Sequence, residues 1–330
     1  MLQSQWTDQG IVLREVEPPP LSDGWVRLKV AACGICGSDL HTYRHGAAGR
    51  SVPGHELVGT VLAGPSGLAD ALYAVEPWLA CGSCEFCLAG QRQHCRQGKL
   101  LGAQVAGGLA EFVDAPASEV HPIPAALPPL VASMAEPLAV CVRAVHRAEL
   151  KLDSRVLIVG GGSIGLLVGL LARDAAARVA ISTRHPHQAE VAAQLGLEPV
   201  VEAQMLAFAQ DFQPDVVFES VGGDAPTVGQ AMQACRAGGR VVVLGLFSGP
   251  SEIDARTLIM KELTLRGSKV YGTSEHGHEF RAAVDLLPRY RQQLAHLQTH
   301  QFPLVDLKAA FAGAADKSTR AIKVTVLMPG

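Results

Sequence analysis

The chain has 330 residues, 48% of them hydrophobic and 18% charged, which is enough to bury one large core or two ordinary ones. Its 28 basic and 31 acidic residues give a formal net charge of −3, so charge supplies no reason to expect a nucleic acid or an anionic membrane as partner. The opening residues lack a secretory-signal pattern, and no apolar run approaches the roughly 18 residues that span a bilayer. We therefore expect a cytosolic protein with reduced thiols.

The first predicted strand and the loops after it carry side chains that bind metals. WVRLKVAA, at residues 25–32, predicts a strand, and it is followed by Cys36 in CGICGSDLHTY and by His55 and Glu56 in PGHELVG. Taken alone, His55 is better explained as an ordinary hydrogen-bonded loop histidine than as a ligand. A thiolate, an imidazole and a carboxylate together match a catalytic zinc site, in which three protein ligands leave one position open.

Four cysteines lie within fifteen residues, in CGSCEFCLAGQRQHC. Four explanations are open for Cys81, Cys84, Cys87 and Cys95: disulfides, a reactive redox cluster, incidental buried thiols or a metal site. Short loops would strain two disulfides, and a reducing compartment disfavours them. Four thiolates match the closed tetrahedral coordination of a structural zinc, which leaves no position open for catalysis.

Glu136 is a further candidate ligand, in the segment MAEPLAVCVRAV. Pro137 at an early position indicates that a helix begins here. A carboxylate in the first helical turn is also favoured by the helix dipole, so this position has a purely structural explanation as well. The two roles are compatible, and the residues alone leave both open.

A different pattern begins at Arg155. RVLIV, at 155–159, predicts a buried parallel strand, GGGSIG follows at 160–165, and LLVGLLAR predicts a helix. Glycines between a strand and a helix allow a tight turn and close approach of a pyrophosphate to the helix N-terminus. The residues expected to bind a dinucleotide in this turn are Gly160, Gly162, Ser163, Ile164 and Gly165.

Further strand–helix pairs continue this alternation up to the strand RVVVLGLF, at 240–247. The rhythm predicts an α/β fold with a doubly wound parallel sheet, which binds its ligand at the carboxyl ends of the strands. The alternative is a domain of this fold that binds no nucleotide.

The position expected to bind the adenosine ribose carries no acid. NAD-binding domains usually place Asp or Glu about 20 residues past the glycines, where it holds the ribose 2′-hydroxyl. Here the chain carries Thr183, Arg184 and His185, in ISTRHPHQ. Nothing repels a 2′-phosphate and Arg184 can clamp one, so the sequence predicts NADP(H) in preference to NAD(H). The alternative is that Arg184 is simply a solvent-exposed loop arginine.

These motifs, in this order, resemble the zinc-dependent medium-chain dehydrogenase/reductase family, and the resemblance covers essentially the whole chain. It implies a GroES-like, β-rich catalytic domain at residues 1–136 with a structural zinc lobe at 81–95. A Rossmann domain that binds NADP(H) would follow at 137–267, and residues 268–330 would return to the catalytic domain. The resemblance also implies two zinc ions per chain, a small-molecule substrate and a homodimer or homotetramer.

Within that family, CGICGSDLH and AEPLAV are most similar to the polyol, sugar and threonine dehydrogenase branches. By that resemblance Cys36 and His55 are ligands of the catalytic zinc and Cys33 is not. Glu56 matches a ligand in some members and a nearby acid in others, while Glu136 matches an acid that binds directly or through water.

The same resemblance assigns further roles around the metal. Ser38 and His41 match a proton relay to solvent, and Asp39 matches an acid that orients the histidine ligand. The residues expected to face the nicotinamide and its ribose are Ser220, Val221, Gly222, Gly245, Leu246 and Phe247.

The implied activity is hydride transfer between NADP(H) and a secondary alcohol, polyol or sugar-type substrate. One alternative is an NADPH-dependent reductase of small aldehydes or ketones. A more remote alternative is a non-catalytic protein that binds NADPH as a sensor. The resemblance departs from the family at residues 69–78, where ADALYAVEPW replaces the usual Gly-Asp-Arg-Val strand.

Overall fold

The computed structural model describes residues 1–8, 10–46, 51–124, 127–176 and 178–329. The chain divides into two compact units, one made of Met1–Ala139 with Gly272–Gly330 and the other of Val140–Tyr271. The divisions predicted after residues 136 and 267 lie a few residues before these. Within the described ranges, no helix is both long enough and apolar enough to cross a membrane.

The first part of the first unit is rich in strands. Its strands are β1 (Leu2–Thr7), β2 (Gly10–Glu15), β3 (Trp25–Gly34), β4 (Glu56–Ala63), β5 (Leu72–Val75), β6 (Trp78–Leu79), β7 (Lys99–Leu100), β8 (Phe112–Pro116) and β9 (Val120–Pro122). Its helices are short and comprise α1 (Gly37–His45), α2 (Glu85–Leu88) and α3 (Pro129–Ala132).

The second unit alternates strands and helices. It is preceded by α4 (Ala135–Ala148), within which the division between the units falls. The elements that follow are β10 (Arg155–Val159), α5 (Ser163–Arg173), β11 (Arg178–Thr183), α6 (Pro186–Gln194), β12 (Glu198–Val201), α7 (Met205–Phe212), β13 (Val216–Glu219), α8 (Thr227–Ala234), β14 (Arg240–Val243), α9 (Ala255–Met260) and β15 (Thr264–Gly267).

The chain then returns to the first unit. The returning elements are β16 (Thr273–Ser274), β17 (Gly277–His278), α10 (Glu279–Leu286), α11 (Arg291–Leu297), β18 (Gln298–Pro303), α12 (Leu307–Ala315) and β19 (Lys323–Leu327). Short 3-10 helices also occur at Arg92–His94, Ala117–Glu119, Glu202–Gln204, Leu304–Asp306 and Lys317–Thr319.

The main sheet of the first unit brings the candidate metal ligands together. Its strand order is β18-β19-β3-β4-β5-β9, with β8 also paired to β3. Gly34, at the end of β3, lies opposite Glu56 at the start of β4 and opposite Thr325 of β19. Because β3 is antiparallel to both β4 and β19, the end of β3 lies beside the first residues of β4 and the first half of β19. The loop after β3 carries Cys36 to the same place.

The second unit is built on a six-stranded sheet in the order β12-β11-β10-β13-β14-β15. Every neighbouring pair is parallel, so all the carboxyl ends lie along one edge. A buried apolar core that includes Leu157, Val217 and Met232 supports it. The predicted doubly wound Rossmann sheet is confirmed, and its order places the glycine-rich turn after β10 at the point where strand order reverses.

Candidate active site

Three of the predicted zinc ligands converge in the first unit. The ligand atoms of Cys36, His55 and Glu56 all lie within 4.8 Å of one another. His55 and Glu56 are buried, with 5% and 1% of their surface exposed, and Cys36 is partly exposed. A thiol, an imidazole and a carboxylate this close together are the donor set of a catalytic zinc, so these residues fit the ion.

The neighbouring backbone is shaped to admit the Glu56 side chain. Gly34 lies opposite Glu56 in the sheet, and a Cβ added at Gly34 would overlap the Glu56 carboxylate. Asp39, in the first turn of α1, accepts a hydrogen bond from the backbone N–H of Cys36 at 3.0 Å. This bond holds the loop that presents the thiol.

Asp39 also faces the histidine. Its Oδ1 lies 3.9 Å from Nδ1 of His55, and both side chains are buried. Burial lowers the pKa of His55, but the charges of Cys36 and Asp39 outweigh it and the pKa is raised well above its usual value. A carboxylate beside the outer ring nitrogen is the usual means of orienting a metal-binding imidazole.

Lys323 belongs to this cluster and was not predicted from the sequence. Its ammonium forms an ion pair with the Glu56 carboxylate and donates to the Ile35 carbonyl at 3.1 Å, although only 3% of the residue is exposed. Burial lowers the pKa of Lys323, but the charges of Glu56 and Cys36 outweigh burial, so the pKa is raised above its usual value. The only sequence signal is a lysine placed among the apolar residues of AIKVTVLMP.

Glu136 lies beside the cluster without joining the three mutually close ligand atoms, among the residues that the structure describes. It is 6% exposed at the start of α4, and burial raises its pKa to about 7. The charges of His55 and Glu56 act on it, the first lowering and the second raising that pKa. It is therefore close enough to interact electrostatically with the ligands.

The two predicted relay residues lie one helical turn apart on α1. Ser38 and His41 are both partly exposed, and the His41 ring packs against the His45 ring at a tilt of 38°, with 4.5 Å between the ring centroids. The relay itself stays a prediction.

The four clustered cysteines form a second candidate metal site in the same unit. The sulfur atoms of Cys81, Cys84, Cys87 and Cys95 lie within 4.8 Å of one another. Sγ of Cys87 is 3.5 Å from that of Cys84 and 3.9 Å from that of Cys81. A tetrahedral zinc with Zn–S bonds of about 2.3 Å requires sulfurs about 3.8 Å apart, so the cage fits this ion.

Backbone groups of the lobe favour a thiolate at Cys81. Hydrogen bonds from the backbone of Ser83 and Cys84 lower the pKa of Cys81 to about 6. Burial instead raises the pKa of Cys87 to about 12. All four are free thiols, and no disulfide joins them. The indole N–H of Trp78 donates to the Arg92 carbonyl at 2.8 Å and fastens the lobe to the strand before it.

In the second unit, the glycine-rich turn has the geometry that a dinucleotide requires. Gly160 has φ of +110°, a conformation that favours glycine. A Cβ on Gly165 would overlap the Gly160 carbonyl oxygen, whereas a Cβ on Gly162 would meet nothing within 4 Å. Gly162 is the N-cap of α5, which Ser163 and Ile164 open, so free N–H groups face the space beside it.

The turn after β13 is held by the side chain of Glu219, which sequence reasoning missed. Its Oε1 accepts hydrogen bonds from the N–H groups of Val221 and Gly222, at 2.8 and 3.0 Å, and from the Thr227 hydroxyl at 2.8 Å. The loop with Gly245, Leu246 and Phe247 lies beside this turn, since the backbone N–H of Gly223 donates to the Leu246 carbonyl at 2.8 Å.

The predicted nicotinamide-facing residues differ in exposure. Val221 and Leu246 are 42% and 73% exposed. The Ser220 hydroxyl is already used within the turn, since it donates to the carbonyls of Val159 and Gly160. Ser220 therefore stabilises the glycine turn through these hydrogen bonds.

The predicted ribose-binding position combines a buried threonine with an exposed arginine that is already ion-paired. Thr183 is buried and its hydroxyl donates to the Val200 carbonyl at 3.4 Å. Arg184 is exposed, but its guanidinium is held by Glu202, with Nε 2.6 Å from Oε2. The backbone N–H groups of Arg184 and His185 both donate to the Gln188 side chain.

Comparison with known proteins agrees with this architecture. Residues 22–125 match the family described as alcohol dehydrogenase GroES-like domain, and residues 163–289 match zinc-binding dehydrogenase. The chain belongs to the zinc-type medium-chain dehydrogenase family. It is an oxidoreductase of mixed α/β fold, and the predicted GroES-like domain is confirmed with the Rossmann sheet.

Relatives of this dehydrogenase match it over most of its length. It is 32% identical to the 2-dehydro-3-deoxy-L-galactonate 5-dehydrogenase of Pseudoalteromonas atlantica, over 88% of this chain and 87% of the relative. It is 31% identical to the L-idonate 5-dehydrogenase (NAD(P)(+)) of Escherichia coli, over 91% of each. A putative zinc-binding dehydrogenase from Sinorhizobium meliloti, solved bound to NADP, superposes with a TM-score of 0.88 at 29% identity, over 99% of both chains.

Proposed function

We propose that this dehydrogenase oxidises a secondary hydroxyl group of a polyol or sugar acid, or reduces the matching ketone, with NADP(H) preferred over NAD(H). The observation that carries the proposal is the convergence of Cys36, His55 and Glu56 within 4.8 Å, in a chain that also has the dinucleotide turn. The substrate class is supported by the two sugar-acid 5-dehydrogenases that the chain resembles.

The residues divide the chemistry between them. Cys36, His55 and Glu56 would hold the catalytic zinc, with Glu136 beside them, and Cys81, Cys84, Cys87 and Cys95 would hold the structural one. Zinc bound at the first site supplies a Lewis acid that makes a substrate hydroxyl acidic at neutral pH. Hydride transfer itself is the chemistry of the nicotinamide cofactor.

The protein's own groups position the site and move the proton. Asp39 fixes the ring of His55, and Lys323 balances the charge of Glu56. The Ser38 hydroxyl takes up the proton that leaves the substrate as it gives up its own, and the His41 imidazole releases a proton to solvent. Imidazole suits this step because it exchanges protons near neutral pH.

The cofactor preference is supported by the acid-free position after β11, where Thr183, Arg184 and His185 stand. A relative solved with NADP is compatible with it, and another relative is named for both nicotinamide cofactors. A reductase of small aldehydes or ketones remains the second candidate, because the same acid-free position favours the cofactor that most reductive enzymes use.

Initial rates test the proposal. Zinc-loaded protein is assayed with NADP⁺ and NAD⁺ against sugar acids, polyols and simple alcohols, and with NADPH against small ketones and aldehydes. We expect oxidation of a polyol or sugar acid, faster with NADP⁺. Activity confined to small carbonyls would favour the second candidate, and silence on every substrate from protein that binds NADPH would favour a sensor.

Two accompanying properties, the oligomeric state and the location, belong to the same proposal. We expect a homodimer or homotetramer by analogy with the family, measurable as a mass in solution. We also propose a cytosolic location, because a reducing compartment would keep the cysteines available for zinc.

A further inference from the structure

Arg184 and Glu202 form a two-point ion pair at the edge of the Rossmann sheet where the ligand is expected. Arg184 follows β11 directly and Glu202 follows β12 directly, and these two strands are parallel neighbours. The guanidinium donates from Nε to Oε2 at 2.6 Å and from Nη2 to Oε1 at 2.7 Å. This is the fork-to-fork geometry with which arginine also binds a phosphate.

The pair is anchored at its backbone and open at its charged end. Gln188 Oε1 accepts from the N–H groups of Arg184 and His185, at 3.1 Å each, so the start of α6 is held in place. The side chains of Arg184 and Glu202 are 63% and 35% exposed. A ligand arriving from solvent can therefore reach the guanidinium, but it meets the Glu202 carboxylate already there.

We propose that Glu202 is a specificity-determining residue that competes with the 2′-phosphate of NADP(H) for the guanidinium of Arg184. To be bound, the phosphate must open the ion pair and settle beside a carboxylate of like charge. NAD(H) carries a hydroxyl at that position and meets neither cost. Glu202 thus keeps the preference for NADP(H) moderate. The inference rests on the proposed binding of the dinucleotide at this edge.

Binding measurements test it without relying on turnover. Dissociation constants of NADP⁺, NAD⁺, 2′,5′-ADP and 5′-AMP are measured by calorimetry for the wild type and for Glu202→Gln. The variant should bind NADP⁺ and 2′,5′-ADP about 3- to 10-fold more tightly, since it loses one exposed ion pair and one repulsion. Its affinity for NAD⁺ and 5′-AMP should not change.

The same strand offers a matched control. Glu198 begins β12 and pairs with Arg178, with Nη2 2.7 Å from Oε2, at the opposite ends of the same two strands. Glu198→Gln removes one negative charge at the opposite end of β12 from Glu202, away from the expected phosphate position, so it should leave all four affinities unchanged. Arg184→Ala should weaken NADP⁺ and 2′,5′-ADP about tenfold or more, because it removes the phosphate ligand itself.

The outcomes separate the inference from the proposed function. Equal NADP⁺ binding by folded Glu202→Gln would overturn the competition. Weaker NADP⁺ binding would also overturn it and would show that Glu202 aims Arg184 at the phosphate. Weaker NAD⁺ binding by Glu202→Gln would also overturn the competition, since it would show that Glu202 binds the ribose 2′-hydroxyl of NAD⁺. If instead the wild type binds NAD⁺ more tightly than NADP⁺, the proposed cofactor preference fails, whatever Glu202→Gln does.

Discussion

Gly162 and Gly165 belong to one turn, yet each is glycine for a different reason. At Gly165 a side chain would collide with the Gly160 carbonyl within the protein. At Gly162 the space is free, and the absence of a side chain leaves room for something outside the protein. One glycine therefore serves the fold and the other serves the ligand.

Alanine substitutions should separate these two roles. Gly165→Ala should lower the free energy of unfolding by about 1–3 kcal/mol, because the turn must open to admit the methyl group. Gly162→Ala should unfold like the wild type but bind NADPH more weakly, because the methyl group occupies the side from which the pyrophosphate approaches. Urea unfolding and NADPH fluorescence titration measure both. Equal effects of the two variants on stability would contradict the distinction.

Lys323 is a second residue whose role is defined by what surrounds it in the fold. It is a buried cation beside the buried carboxylate of Glu56, and no sequence neighbour of either residue supplies the partner. Removing one member leaves an uncompensated charge in a low-dielectric place, which costs more than the pair contributes.

Lys323→Met should therefore destabilise the protein by about 3–5 kcal/mol, measured by urea unfolding at neutral pH. The double variant Glu56→Gln/Lys323→Met removes both charges and should recover much of that loss, although it also alters a proposed ligand. A loss below about 1 kcal/mol for the single variant would mean that the Glu56 carboxylate finds another partner or becomes protonated.

At the scale of elements, the two cysteine-bearing segments make different demands on a metal. The lobe from Cys81 to Cys95 contains only a one-turn helix, a 3-10 helix and loops, so its shape depends on what its four sulfurs bind. Cys36 instead stands between a ten-residue strand and α1, which pair and pack without a metal.

Serine variants should separate these demands. Cys84→Ser should lower the zinc content from two ions per chain to one and lower the melting temperature, because structural zinc contributes folding free energy. Cys36→Ser should also lose one zinc and abolish turnover, while the melting temperature and NADPH binding stay near those of the wild type. Elemental analysis and calorimetry decide it, and unchanged zinc and melting temperature in Cys84→Ser would contradict the cage.

Asp215 joins elements at the amino end of the Rossmann sheet. Its Oδ2 accepts from the Arg155 backbone N–H at 2.7 Å and its Oδ1 from Nε of Arg236 at 2.6 Å. Burial raises the pKa of this carboxyl, but these bonds and charges outweigh burial and hold the pKa below its usual value of 3.8.

A pH dependence of stability follows from that lowered pKa. The ionised carboxyl stabilises the fold fully above pH 4, and this contribution is lost as the pH falls through the lower, folded-state pKa. Asp215→Asn should be less stable than the wild type by about 1 kcal/mol at pH 7, with the gap closing below pH 4. Urea unfolding across this range tests it, and a gap that is independent of pH would exclude the charge as its cause.

At the scale of the whole molecule, features formed by residues close in sequence could be predicted, whereas contacts between residues far apart in sequence could not. The glycine turn and the cysteine lobe could be predicted because their members lie within a few residues of one another. The βαβ alternation likewise predicted the parallel sheet that the structure contains. The pairing of Glu56 with Lys323 could not be predicted, since it depends on β19 lying beside β3.

Arg184 shows the same limit over a shorter span. The sequence indicated a free cation after β11, and the structure adds a carboxylate from the end of β12 that occupies it. The two residues meet because β11 and β12 are parallel neighbours, whose carboxyl ends lie side by side. Oppositely charged residues that follow adjacent parallel strands are therefore expected to form ion pairs, because such strands bring their carboxyl ends together.

The position of β19 also orders events on the ribosome. Synthesis runs from the amino end, so Glu56 and the Ala32–Gly34 end of β3 emerge long before Lys323 and the strand that pairs with that end. At about 5–20 residues per second, that interval is on the order of tens of seconds. The nucleotide-binding unit is made in full during it. A nascent chain can thus possess a finished Rossmann unit while Glu56 still has no counter-ion, and chaperone protection in that interval would fall on the earlier strands.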